Sequence, residues 1–130
     1  RRDELTNEEV SLYGVWGAAA DDVYIAGSHG TILHFDGNEE DEWKPMESGT
    51  KEYLLGIWGS SSSDIFAVGD NATILHYDGK SWSPMDSGTE KYLTKVRGLG
   101  SDRVYAVGDD GLVIRYDGEK WTDMSLGGNG

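Results

Sequence analysis

Three histidines, five arginines, five tryptophans and two clusters of acids are the side chains of this sequence with the chemistry to bind or catalyse. His34 and His76 occupy matched places in two similar stretches, and Arg115 takes that place in a third. A metal centre wants ligands at a spacing such as H-x-x-x-H. None occurs, and with no Cys there is no thiolate site either. Asp21-Asp22 and Glu39-Glu40-Asp41-Glu42 offer oxygen ligands for calcium but no D-x-D-x-D-G loop, so they read as solvated acids. No metal and no cofactor is expected. Trp16 and Trp58 share another matched place, which Arg97 takes in the last stretch. An indole there has the shape to stack on a sugar, although packing between sheets is its ordinary role. Arg97 breaks the pattern and is therefore a candidate ligand contact, with a salt bridge as the plainer reading.

These matched places come from an internal repeat, and the repeat decides the architecture. Its copies begin at Leu12, Leu54 and Leu93, spaced 42 and 39 residues apart. Trp43, Trp82 and Trp121 follow at a spacing of 39 both times and read as packing residues. The extra three residues of the first copy lie in the acidic stretch 38–42, which replaces the short linker Lys80-Ser81. In the second copy, residues 54–58, 65–68, 73–77 and 82–85 are rich in β-branched and aromatic types and read as four strands. Between them lie a polar turn over 59–63, the loop Gly69-Asp70-Asn71-Ala72, and Asp78-Gly79. Asp-Gly is a strong hairpin signal, because Gly accepts positive φ and Asp caps its own turn. The chain is expected to be all-β. Four-stranded units of about 40 residues match the blades of a β-propeller. Consecutive apolar positions such as Thr31-Ile32-Leu33 fit sheets covered on both faces. The expected organisation is an N-terminal segment over 1–11 and blades over 12–53, 54–92 and 93–130.

From Leu12 to Met124 the pattern L-x-x-V-W-G … D-V-Y-A-V-G-D-x-G-x-I-x-x-Y-D-G-x-x-W resembles bacterial propeller repeats of the BNR/Asp-box-like and kelch-like type. The resemblance implies the fold and leaves activity open. The hairpin His76-Tyr77-Asp78-Gly79-Lys80-Ser81-Trp82 lacks the residue that an Asp-box places between Asp and Gly. Asp-box propellers include sialidases, which need an arginine cluster, a Tyr nucleophile with a Glu, and an acid/base Asp. Arg1, Arg2, Arg97, Arg103 and Arg115 suggest no such cluster within one chain. The expectation is a non-catalytic binding or scaffold module for carbohydrate or protein. The alternatives are a glycosidase site completed by oligomerisation and a purely structural piece of a longer array.

Charge narrows the partners. With 24 acidic and 11 basic residues the net charge is -13, a poor match to nucleic acid or anionic membrane. No apolar run approaches the ~18 residues of a membrane span, and no signal-peptide pattern is visible; the compartment stays unassigned. Propellers close with about 4–8 blades, so three leave two apolar sheet faces open. The expected partner is a second copy, two chains making a six-bladed ring. Thr6-Asn7-Glu8-Glu9, loosely like the linkers Thr50-Lys51-Glu52-Tyr53 and Thr89-Glu90-Lys91-Tyr92, points instead to a longer array. Strand order puts second-to-third and fourth-to-first connections on one face of the ring. That face gathers His29, Asn71, Asp110, Tyr53 and Tyr92 as candidate ligand contacts, alongside Trp16, Trp58 and Arg97.

Overall fold

In the computed structural model the described residues are 2–3, 8–37 and 43–125; the acidic insertion 38–42 lies outside them. Three four-stranded antiparallel sheets follow one another, each ordered as the chain runs. The first holds β3 (Leu12–Ala19), β4 (Asp22–Gly27), β5 (Ile32–Phe35) and β6 (Trp43–Met46). The second holds β7 (Leu54–Ser61), β8 (Asp64–Gly69), β9 (Thr73–Tyr77) and β10 (Trp82–Pro84). The third holds β11 (Leu93–Gly100), β12 (Arg103–Gly108), β13 (Val113–Tyr116) and β14 (Trp121–Asp123). Before them, β1 (Arg2–Asp3) pairs with β2 (Glu8–Glu9), so a short ladder stands in the segment expected as linker.

The innermost strands run further than their apolar residues suggest. A bulge after Gly59 lets Ser61 pair with Asp64, and only Ser62 and Ser63 make the turn that composition spreads over 59–63. Ser60 donates from its hydroxyl to the Asp64 carboxylate beside that turn. At the other end, Met85 lies one residue beyond β10, yet its N–H still donates to the Ile74 carbonyl at 2.8 Å. The Asp78-Gly79 and Asp117-Gly118 hairpins form as read. The Asp78 carboxylate accepts from the N–H groups of Lys80 (2.9 Å) and Ser81 (3.0 Å), Gly79 takes φ 99°, and Asp117 repeats the arrangement. These bonds to the ionised form hold both carboxyls below the usual range, Ser81 ahead of Lys80 for Asp78.

The core lies between the sheets. Toward the second sheet the first turns Trp16, Tyr24, Ala26, Ile32 and Met46, which meet Leu54, Ile57, Ile65, Ala67, Leu75 and Trp82. Shifted by one repeat, Trp58, Phe66, Val68, Ile74 and Met85 meet Leu93, Val96, Val104, Ala106, Ile114 and Trp121. Every sheet thus has a forward and a backward apolar face, which is why the strands are apolar at consecutive positions. Each forward tryptophan covers a glycine of the next sheet. A Cβ on Gly59 would stand 2.9 Å from Trp16 Cη2, and one on Gly98 only 2.5 Å from Trp58 Cη2. Among the described residues two faces stay uncovered. On the first sheet's backward face Leu12 is 41% and Val15 64% exposed, whereas Leu54 and Ile57, their counterparts, are 0% and 2% exposed.

Candidate functional site

Each second-to-third connection is a 3-10 turn: Ser28–Gly30, Asp70–Ala72 and Asp109–Gly111. The middle residue is left-handed every time, with φ 57° at His29, 56° at Asn71 and 61° at Asp110. His, Asn and Asp are the non-glycine types that tolerate this region best. The turn is held by the linker that enters the same sheet. Ser28 N–H donates to the Ser11 carbonyl (2.8 Å), Asp70 N–H to Tyr53 (3.0 Å) and Asp109 N–H to Tyr92 (3.1 Å). Linker and turn therefore form one surface unit per sheet, repeated three times along one rim.

Five of the eight candidates, His29, Asn71, Asp110, Tyr53 and Tyr92, fall on this rim. His29 meets Tyr53 edge to face at 5.3 Å, Tyr13 stacks on Tyr53 at 6.1 Å, and Asn71 Nδ2 donates to Glu52 Oε1 at 2.9 Å. Tyr13, Tyr53 and Tyr92 keep 46%, 37% and 44% of their surface exposed, so the rim is aromatic and open. It is also acidic. Burial, then the neighbouring charges of Glu52 and Asp109, push the Asp70 carboxyl above its usual range. Sequence reasoning placed Asp70 and Asp109 on this face beside Asn71 and Asp110, and missed Tyr13 and Glu52. Tyr13 had a signal, since its counterparts are Leu55 and Thr94.

Trp16 and Trp58 lie elsewhere, packed over the glycines already described. His34 and His76 bond Asp22 and Asp64, each at 2.6 Å, and are half-buried strand residues. Among the described residues no group of three or more His, Asp or Glu is placed to hold a metal. Tyr24 stacks on His34 at 4.2 Å and is only 3% exposed. Burial first, then the Asp22 charge, raises its hydroxyl pKa to about 12. Tyr24 favours the neutral form in the fold, so its stabilisation is complete below pH 10 and is lost as pH rises toward 12. Stability should drop by about 2 kcal/mol across that window, and Tyr24→Phe should flatten that part of the profile. Urea unfolding at pH 9 and pH 11.5 measures both.

Arg97 leads to a feature that residue order hides. It pairs with Tyr105, Tyr105 with Arg115, and Arg115 with Thr122, so the four share one face across the third sheet. Arg103 stands two residues before Tyr105 and points the same way. Three of the five arginines thus lie on one forward face, which qualifies the expectation that one chain offers no grouping. The equivalent positions are Trp16, Asp22 and His34 in the first sheet and Trp58, Asp64 and His76 in the second.

The chain is similar in structure to YCF48 from Cyanidioschyzon merolae, with a TM-score of 0.72 and 18% identity over 89% of this chain and 37% of that one. It is similar also to YCF48 bound to D1 peptide, with a TM-score of 0.69 and 17% identity over 89% of this chain and 42% of that one. These sheets are blades of a β-propeller. The three blades span less than half the length of either neighbour, and at such identities the likeness establishes the fold alone. No family model matches the chain, and no curated protein is significantly similar. No helix among the described residues is long and apolar enough to cross a membrane.

Proposed function

We propose that this chain is a non-catalytic propeller module that binds a polypeptide segment carrying a cationic side chain, on the rim built by its second-to-third turns. The observation that carries this reading is the joint placement of open aromatic rings, Tyr13, His29, Tyr53 and Tyr92, beside the acids Glu52, Asp70 and Asp109. A Lys or Arg head group docked there gains ring quadrupole and carboxylate at once. It also answers the charges of Glu52 and Asp109, which after burial are what push the Asp70 carboxyl up. A rigid antiparallel scaffold presenting varied turns suits binding in place of turnover. That a structurally similar propeller, YCF48, is solved with a D1 peptide supports a polypeptide as the ligand class.

Fluorescence anisotropy tests it with three probes: labelled peptides containing Lys and Arg, the same peptides with Glu in those places, and neutral oligosaccharides. The basic peptides should bind, weaken with salt, and lose about tenfold or more in affinity with Tyr53→Ala. Oligosaccharide binding without peptide binding would transfer the rim to carbohydrate. Turnover of a fluorogenic glycoside would remove the non-catalytic reading.

A further inference from the structure

Both open faces of the arc break the repeat, and the breaks match each other. On the forward face of blade 3, Arg97 replaces the tryptophan that in blades 1 and 2 covers the next glycine. On the backward face of blade 1, Gly17 is the glycine that no described residue of another sheet covers, and it is exposed. The Asp–His pairs of blades 1 and 2 become Arg103 and Arg115 in blade 3, so two closed pairs give way to two cations. These arginines lie on a chain whose net charge is -13, so most surfaces of a second copy are acidic.

We infer that a second copy of this chain covers the forward face of blade 3 with the backward face of its own blade 1, the Arg97 guanidinium lying over Gly17 of that copy. The internal blade contacts supply the template. Phe66 meets Tyr116 across blades 2 and 3 at 5.5 Å, and Tyr24 meets Tyr77 across blades 1 and 2 at 6.1 Å. By the same step Tyr105 meets Phe35 of the second copy. Asp64 lies within electrostatic reach of Tyr116, whose hydroxyl donates to the Gly118 carbonyl in the following hairpin. Arg103 has the position of Asp64 and so reaches the hairpin after Phe35, where Asp36 already holds Lys44 at 3.3 Å and the exposed Asp21 stands beside Gly37. A planar guanidinium suits that seat, because it lies flat on backbone as an indole does and also pairs with carboxylate. Apolar Val107 and Met124, 38% and 44% exposed, then meet Leu12 and Val15, 41% and 64% exposed. The contact is head to tail, and two copies complete six blades, inside the range of about 4–8 at which propellers close.

Light scattering coupled to size exclusion, on the 130-residue chain at about 100 μM, tests this. The expected mass is twice 14.2 kDa. Gly17→Leu should give a monomer with an unchanged circular dichroism spectrum and cooperative unfolding. Within one chain a Cβ at Gly17 meets nothing closer than 3.4 Å, so the fold accepts it. Arg97→Trp should keep the dimer, because it restores the internal form of the contact, whereas Arg97→Glu with Arg103→Glu should dissociate it. A monomeric wild type, or a Gly17→Leu variant that stays dimeric, overturns the inference. Peptide binding on the rim can be measured on the Gly17→Leu monomer, so failure of one proposal is distinguishable from failure of the other.

Discussion

Phe66→Ala should destabilise the chain by about 3–5 kcal/mol, a large part of the ~5–15 kcal/mol that holds an ordinary domain folded. Phe66 is fully buried in β8 of the middle blade. Its ring tilts against His76 at 4.8 Å, meets Tyr116 edge to face at 5.5 Å, and presents its edge to Trp121 at 6.0 Å and 85°. Trp58 lies alongside at 6.4 Å. Removing the ring takes contacts from both blades 2 and 3, and stiff neighbouring strands resist collapse into the space. Urea titration followed by tryptophan fluorescence reads the loss directly. Leu99→Ala, at a side chain 81% exposed, should shift the midpoint by no more than about 0.5 kcal/mol. If the two variants unfold alike, the blades do not pack as one core.

Gly69→Ala should be nearly as damaging, for a different reason. Its φ of -174° is extended backbone open to any residue, so conformational strain plays no part. The obstacle is space: a Cβ there would stand 1.8 Å from the Tyr53 carbonyl oxygen, the acceptor that receives the Asp70 N–H. Either the linker or the turn must move, at a cost of about 3 kcal/mol. Gly100→Ala is the matched comparison, since the nearest atom to its added methyl is Asp102 Oδ1 at 3.8 Å. Thermal unfolding of the pair should separate by several degrees, with Gly69→Ala the lower. Because Gly69 fixes Tyr53, the same variant should also weaken peptide binding, whereas Gly100→Ala should leave it intact. Equal melting temperatures would mean that the linker is free to slide.

The strands and their grouping were legible because the repeat prints the same apolar and turn residues three times over. Asp36-Gly37, Asp78-Gly79 and Asp117-Gly118 set the phase of each unit without reference to anything distant. The rim was legible for the same reason, since strand order alone sends 29, 71 and 110 to one side. What lay hidden depended on register. Arg97, Arg103 and Arg115 are scattered along the chain, and only the pairing of β11, β12 and β13 aligns them. Trp16 and Trp58 were ambiguous because a strand residue does not announce which face it takes; the glycines opposite them decide it. The extension of β7 to Ser61 was missed because serine has little strand preference, and the bulge after Gly59 overrides that local preference.

The left-handed middle residue of each turn separates backbone shape from side-chain chemistry. His29, Asn71 and Asp110 differ in charge and in hydrogen-bonding capacity, yet their φ angles agree within 5°, from 56° to 61°. The backbone has uncoupled the shape of the socket from what is plugged into it. Exchange among this small set of side chains alters the chemistry displayed at one blade while leaving the backbone that carries it unchanged. A recognition surface assembled in this way can be rewritten one character at a time.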